Sequence, residues 1–206
     1  DQLLNNPKYT PKEVIGIDNN ESLLFFQDQQ FLNDSRASFF VTDIRDKSEL
    51  DNKMRGVDIV IHTAALKHVI LCERSPEQAV QTNIHGVQNV IAAANLNNVE
   101  IVIFTSSDKA VNPTNSMGAS KRVAELILQA VSAEKSIVFE SVNGAPVKTK
   151  NNTQFSMVRF GNVLGSSGSV VPLFRRQIKN GGPITLTHED ITRYFMTISE
   201  ASQLVM

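Results

Sequence analysis

Residues 101–121 read IVIFTSSDKAVNPTNSMGASK, and this stretch decides the fold. Ile101, Val102, Ile103 and Phe104 form a continuous apolar run, the pattern of a strand buried on both faces. The run stops abruptly in Thr105, Ser106, Ser107, Asp108 and Lys109. Polar residues at the carboxyl end of a buried parallel strand stand where open α/β sheets bind ligands. Pro113 and Gly118 mark a loop, and the pattern turns helical from Ser116. Met117 and Lys121 are four residues apart and so share one side of that helix. One strand end, one loop and one helix therefore bring together a hydroxyl (Ser107), a carboxylate (Asp108) and two amines (Lys109 and Lys121).

Outward from this stretch, strand and helix patterns alternate. On the N-terminal side Val14 to Ile17 reads as a strand running into Asp18, Asn19 and Asn20, followed by a helix over Ser22 to Leu32 with Glu21 in its first turn. Ser38 to Val41 reads as a second strand ending in Thr42 and Asp43, and a helix around Lys47 to Met54 is stopped by Gly56. Asp58 to His62 is a third strand. Pro76 opens a long helix through Asn95, in which Val80, Ile84, Val87, Ile91 and Ala94 step by four and three along one buried face. On the C-terminal side Ser136 to Asn152 is polar, with Gly144 and Pro146, and reads as a hairpin or surface insertion. Phe155 to Arg159 is a strand, Pro172 to Lys179 a short helix, Ile184 to Leu186 a short strand, and a last helix starts at Ser199. Such alternation predicts a parallel sheet with helices on both faces. The strands before Asp18, Asp43, His62 and Thr105 are expected in one sheet, their carboxyl ends facing one crevice.

At 206 residues and 41% hydrophobic, the chain suits one core. A net charge of -1 gives no bulk attraction to nucleic acid or an anionic membrane, and no nucleic-acid partner is expected. The single cysteine, Cys72, allows no internal disulfide, which fits a reducing compartment, and it reads as a small core residue. No apolar run approaches the ~18 residues that span a bilayer, and no signal peptide is expected before the first element. Asp1 to Asn6 looks like the tail of a helix, and Met206 falls inside an apolar helical pattern, so the stretch is expected to be a fragment of a longer chain. His62, His68, His85 and His188 lack metal-ligand spacing, so no metal site is expected.

Asp18 and Asp43 each follow a strand. In a dinucleotide-binding fold an acid at such a place hydrogen-bonds a ribose hydroxyl. The plainer reading is that each caps the next helix. The glycine-rich phosphate loop that would decide between them is absent, and it would lie before Asp1.

Four stretches carry a resemblance: SDKAVNPTN at 107–115 with MGASK at 117–121, AALKHV at 64–69, VRFGNVLG at 158–165 with GSVVP at 168–172, and TRYFMT at 192–197. Together they resemble the extended short-chain dehydrogenase/reductases and, more narrowly, the CapD-type polysaccharide biosynthesis proteins, UDP-N-acetylglucosamine 4,6-dehydratases. The resemblance covers nearly the whole chain. It implies a Rossmann-like doubly wound parallel sheet that lacks its first strand and glycine loop. Residues 1–154 would form the NAD-binding part, and 155–206 the last core strand with part of a small C-terminal substrate-binding region. It further implies NAD as cofactor, a UDP-sugar substrate, a homo-oligomer, and a cytoplasmic enzyme. Many family members carry an N-terminal membrane domain, which would place the longer protein at the cytoplasmic face of the inner membrane.

The family chemistry is an internal redox cycle. Hydride passes from sugar C4 to NAD+, the resulting ketone acidifies the C5 proton, water leaves across C5 and C6, and hydride returns to C6. By resemblance Ser107 bonds the C4 oxygen, Asp108 is the acid at the C6 hydroxyl, Lys109 is the base at C5, and Lys121 holds the nicotinamide ribose. Asp18, Asp43, Ile44, Ala64, Ala65 and Lys121 are the implied cofactor contacts, and Lys67, Asn162 and Arg193 the substrate contacts. A carboxylate at Asp18 would repel a 2′-phosphate, which favours NAD over NADP. The plainer readings are a surface ion pair for Asp108 and Lys109, tight packing for Ala64 and Ala65, and a surface salt bridge for Arg193. Asn83 would bridge the long helix to the catalytic strand. Most of the wider superfamily has Tyr where this chain has Met117, and a thioether cannot act as a proton base. The CapD-type branch shares this Met, which favours the dehydratase over a 4-epimerase. It leaves the C4 base open among Asp108, Lys121 and water, and Met117 is equally compatible with plain helix packing. A non-catalytic dinucleotide-binding protein is the reading from another class, and the retention of Asp108, Lys109 and Lys121 argues against it.

Overall fold

The structure is a computed structural model that describes residues 2–166, 168–186 and 188–206. The first half of the chain runs α1 (Gln2–Asn5), β1 (Val14–Asp18), α2 (Glu21–Gln30), β2 (Ala37–Val41), α3 (Lys47–Lys53), β3 (Ile59–His62), α4 (Val69–Arg74), α5 (Pro76–Val80), a π turn (Gln81–His85) and α6 (Gly86–Leu96). The second half runs β4 (Ile101–Ser107), a 3₁₀ turn (Asp108–Ala110), α7 (Ser116–Ala133), β5 (Ser136–Glu140), β6 (Pro146–Lys150), β7 (Gln154–Phe160), β8 (Asn162–Val163), α8 (Val170–Lys179), β9 (Phe195–Met196) and α9 (Ile198–Val205).

The decisive stretch is central, as its apolar run requires. β4 lies between β3 and β7 and is parallel to both, with Phe104 opposite His62 and Met157. β1 and β2 form a second parallel pair, with Asp18 opposite Val41. Among the described residues no ladder joins β1 to β3, so the single sheet of the sequence reading is two parallel units. Both units nevertheless rest on the same core. Ile17 of β1 and Val60 of β3 pack against a cluster of Ile44, Leu50, Met54, Val90, Ala93, Ala94, Val99 and Val102, which α3 and α6 help to build. A second cluster, Val87, Ile91, Phe104, Ala124 and Leu128, seats α7 on the same face, since Val102 and Phe104 point the same way from β4. On β1 the neighbouring Gly16 points to the other face. There Phe39 leaves no room for a Cβ, and the Phe31 ring that follows α2 stacks on Phe39 at 6.1 Å between centroids. Helices thus lie on both faces, the doubly wound arrangement.

The helix starts settle what Asp18 and Asp43 do not do. Asn20 caps α2, accepting from Leu23 N at 3.1 Å, and Asp46 caps α3, accepting from Ser48 N and Glu49 N at 2.9 and 3.1 Å. Neither strand-end acid is a helix cap. The expected hairpin is present as the antiparallel pair of β5 and β6.

Several elements depart from the sequence reading. The long helix from Pro76 is interrupted by the π turn, whose extra residue breaks the step of four and three and sends Asn83 inward, 1% exposed. α4 was not expected: it is six residues long and buries only Cys72, while Ile70 and Leu71 face out, so no amphipathic period shows. Ile184 to Leu186 forms no strand. The backbone N–H of Thr185 is satisfied by the Gln177 side chain at 3.2 Å instead of by a neighbouring strand. α8 starts two residues before Pro172, which falls in the first turn, where its missing N–H is harmless. α9 starts at Ile198, set by a reciprocal capping box between Thr197 and Glu200.

Candidate active site

β4 delivers Ser107 to the carboxyl edge of its sheet, and the 3₁₀ turn carries Asp108 and Lys109 directly beyond it. The turn is closed by Ser107, whose Oγ accepts from Lys109 N at 3.2 Å. Ser107 Oγ in turn donates to Asp108 Oδ1 at 2.9 Å, and Lys109 Nζ donates to the same oxygen at 3.0 Å. Burial alone would raise the Asp108 carboxyl. The hydrogen bonds from Lys109 and Ser107 outweigh it and hold that carboxyl below its usual value. Asp108 is therefore ionised at rest. Asn162, on β8, approaches the same lysine, its Oδ1 3.5 Å from Lys109 Nζ.

Gly118 explains how α7 comes so close. A Cβ at this position would collide with the Lys109 carbonyl and press on Pro113. Asn115 caps the helix, its Oδ1 accepting from Gly118 N at 2.8 Å. One turn further on, Lys121 is buried and donates to the Thr105 carbonyl at 3.0 Å, with its ammonium 4.7 Å from the centroid of the Phe104 ring. Burial pushes its ammonium down to about 8, and nearby Glu125 partly offsets this.

The remaining predicted residues divide. Met117 is 3% exposed and packs with Cys72, Ala79 and Val69, the plain helix packing left open above. Ile44 turns its side chain into the core. Asp43 is occupied: Arg45 donates to it from Nε and Nη2 at 3.0 and 2.6 Å, and these bonds bring the carboxyl down to about 2. Asp18 is exposed and accepts from Asn20 N at 2.8 Å. Ala64 is exposed rather than tightly packed, and Lys67 lies in the same exposed loop. Arg193 is exposed, its guanidinium bonded to the Thr192 carbonyl, while the adjoining Tyr194 carbonyl accepts from Asn162 N at 2.9 Å.

Asn83 bridges different partners from those expected. Its amide accepts from Leu66 N at 2.8 Å and donates to Leu66 O at 3.0 Å and to Ser120 Oγ at 2.9 Å. It thus ties the 64–67 loop to α7 rather than to β4.

Three further polar residues, two of them buried, escaped the sequence reading of the site. Glu125 is fully buried, and its spacing of four from Lys121 was the available signal. Arg159, on β7, is its partner. His62 is 5% exposed, stacks on Phe104 and is pushed down to about 3, first by burial and then by Lys121. Among the described residues no group of three or more His, Cys, Asp or Glu could hold a metal ion, and no helix is long and apolar enough to cross a membrane.

Comparison with known proteins adds the lineage. The sequence profile of the family described as "Polysaccharide biosynthesis protein" matches residues 2–206. An uncharacterized membrane protein of Methanocaldococcus jannaschii is 46% identical over 199 residues, 97% of this chain and 56% of that protein. The capsular polysaccharide biosynthesis protein CapD of Staphylococcus aureus is 40% identical over 205 residues, 97% of this chain and 32% of that protein. A UDP-glucose 4-epimerase of Rickettsia bellii is 39% identical over 175 residues, 85% of this chain and 48% of that protein. The X-ray structure of Pen from Bacillus thuringiensis superposes with a TM-score of 0.84 at 38% identity, covering 95% of this chain and 58% of that one. The chain spans between about a third and just over half of the length of these curated relatives.

Proposed function

Because the chain belongs to the polysaccharide biosynthesis protein family, we propose that it is the central part of an NAD-dependent nucleotide-sugar 4,6-dehydratase acting on UDP-N-acetylglucosamine or a similar UDP-sugar, in surface polysaccharide synthesis. The observation that carries this reading is the convergence of Ser107 Oγ and Lys109 Nζ on one Asp108 oxygen at a strand end. Dehydration across C5 and C6 needs a base for the C5 proton and an acid for the departing C6 hydroxyl. At rest this pair is an ammonium and a carboxylate, which is neither. Moving one proton from Lys109 to Asp108 across 3.0 Å creates both at once. The amine then takes the C5 proton and the carboxylic acid protonates the hydroxyl, which leaves as water. The original ion pair returns, and the balance closes without any other proton source. In this reading Ser107 would hold the C4 oxygen, and Asn162, 3.5 Å from Lys109 Nζ, would steady the lysine.

The strand ends of β1 and β2 suit a dinucleotide. Asp18 presents an exposed carboxylate for ribose hydroxyls, and Thr42, whose N–H bonds the Asp18 carbonyl, has a buried hydroxyl without a protein partner. NAD would supply the hydride acceptor and donor. Ala64 and Ala65 leave its approach open, and Lys121 has two N–H donors beyond the one used on Thr105. We place the reaction in the cytoplasm, or at the cytoplasmic face of a membrane if the longer protein is anchored there, with a homo-oligomer as the working form.

A 4-epimerase is the second reading, favoured by the Rickettsia bellii relative. Mass spectrometry of UDP-N-acetylglucosamine and UDP-glucose incubated with the full-length protein separates the two. Loss of one water without net consumption of NAD+ supports the dehydratase. An isomer of unchanged mass supports the epimerase, and unchanged substrates in both cases would sink the enzymatic reading.

A further inference from the structure

One buried charge takes no part in the chemistry above. Glu125 is completely enclosed on α7, yet both of its oxygens are engaged. Arg159 donates from Nε to Oε1 at 2.8 Å and from Nη2 to Oε2 at 2.7 Å, a bidentate fork. Arg122 adds a bond to Oε2 at 2.9 Å. The two arginine side chains are about two-fifths exposed, so they cap a carboxylate that is itself enclosed.

The placement is specific. Lys121 and Glu125 leave the same side of α7 one turn apart. Lys121 is fastened to the carbonyl of Thr105 on β4, and Glu125 to Arg159 on β7, which stands opposite Ser106 in the ladder. Adjacent turns of the helix are therefore stapled to adjacent strands at adjacent register positions, directly beneath Ser107. We infer that Glu125 is a positioning residue for Lys121: it fixes α7 against the ends of β4 and β7 and keeps a negative charge one turn from the Lys121 ammonium. The catalytic consequence rests on the dehydratase reading, whereas the coupling between the two side chains does not.

Every group around Lys121 bears on its protonation. β3 contributes His62, buried and neutral, and β4 contributes the Phe104 ring and the Thr105 carbonyl. β7 contributes Arg159 and α7 itself Arg122, both acting through Glu125. Glu125 is the group that supports the charged lysine against burial.

The test uses full-length protein without substrate, labelled at lysine Cε, with the Lys121 signal assigned by Lys121→Arg and titrated by NMR. In Glu125→Gln the signal should titrate lower by about one pH unit, because the neighbouring negative charge is gone. In Arg159→Gln it should titrate higher, because Glu125 keeps its charge with less compensation. A residue with a merely structural role predicts no such opposed pair. The pH above which the first hydride transfer fails should move with the titration in both variants, and Glu125→Asp should restore much of it. Arg159 is half exposed and Arg122 still bonds Glu125 in its absence, so Arg159→Gln decides the matter if Glu125→Gln does not fold. An unmoved Lys121 titration in either folded variant overturns the proposal. A wild-type protein that dehydrates no sugar overturns the functional reading instead and leaves the titration result standing.

Discussion

Lys109 Nζ lies 3.0 Å from Asp108 Oδ1 on a turn that leaves both side chains about one-third exposed. An ion pair this open to solvent contributes at most about 1 kcal/mol to folding. Stability therefore does not account for two charged residues at the mouth of a buried strand. Asp108→Asn should leave the unfolding free energy from urea titration within about 1 kcal/mol of the parent, while dehydration falls by about 10²–10⁴-fold. A variant that loses stability in proportion to activity would mark the pair as structural.

Asn83 offers the contrasting case. It is 1% exposed and holds both backbone groups of Leu66 as well as Ser120 Oγ. Asn83→Ala removes the partner of both Leu66 backbone groups in a part-buried place, while Ser120 Oγ keeps its bond to Met117 O, and each lost partner is worth about 1–3 kcal/mol. We expect a loss of about 2–4 kcal/mol in chemical unfolding, allowing for partial relaxation. Hydrogen exchange should rise first at Leu66, because that amide loses its acceptor.

Gly118 tests how finely the turn is placed. Its absent side chain is what lets α7 touch the Lys109 carbonyl. Gly118→Ala must push the helix or the turn aside, an overpacking cost of about 1–3 kcal/mol. The displaced carbonyl belongs to the proposed base, so turnover should fall more steeply than stability. Equal activity in a folded Gly118→Ala protein would show that the Lys109 position has slack.

The sequence exposes those parts of the fold that repeat with a period. The apolar run at 101–104 becomes the central strand, and of the stepped face Val87, Ile91 and Ala94 are buried while Val80, before the π turn, is exposed, because burial on one side imposes a pattern that residue types record. The cluster of Ser107, Asp108 and Lys109 was readable because it is contiguous. Asn83 was legible as a bridge, but its partners were not, and Glu125 was missed altogether, because the partners lie 17 and 37 residues from Asn83 and 34 from Glu125 and only the folded chain brings them together. The π turn hides for a related reason: it changes the helical register without changing the residue types around it. Asp43 was legible as a strand-end acid, but its capture by Arg45 depends on the path of the turn between them.

Lys121 makes stability depend on pH in a defined direction. Its folded value is depressed from 10.5 to about 8, so between these limits the unfolded chain binds more protons than the folded one. Stability attributable to Lys121 should therefore rise with pH across that window, by up to about 3 kcal/mol. Cys72 acts the other way, since burial raises its thiol and the unfolded chain ionises first. The informative quantity is the difference between the parent and Lys121→Met in urea unfolding at successive pH values. A parent-minus-variant difference that rises steadily above pH 8 agrees with a buried ammonium, and a constant difference does not.

The two lysines should fail at different steps. Lys109 stands on the turn beside Asp108, with Asn162 of β8 approaching it, where a base for C5 would work. Lys121 lies deeper, bonded to Thr105 and enclosed by Phe104 and His62, where it can act only on what approaches the end of β4. In full-length protein Lys109→Ala should still allow oxidation at C4 and then stall. Bound NADH absorbance should accumulate, with little dehydrated product and little solvent deuterium at C5. Lys121→Ala should instead slow the first hydride transfer, so that no NADH signal builds up. Removing an acid–base group commonly costs about 10²–10⁴ in rate, a margin wide enough to tell the two apart. If both variants stop at the same step, or if Lys109→Ala exchanges the C5 proton at the parent rate, the division fails. The fold assignment would survive that result, because it rests on the packing of Phe104, Ala124 and Leu128 with Val87 and Ile91, not on either lysine's chemistry.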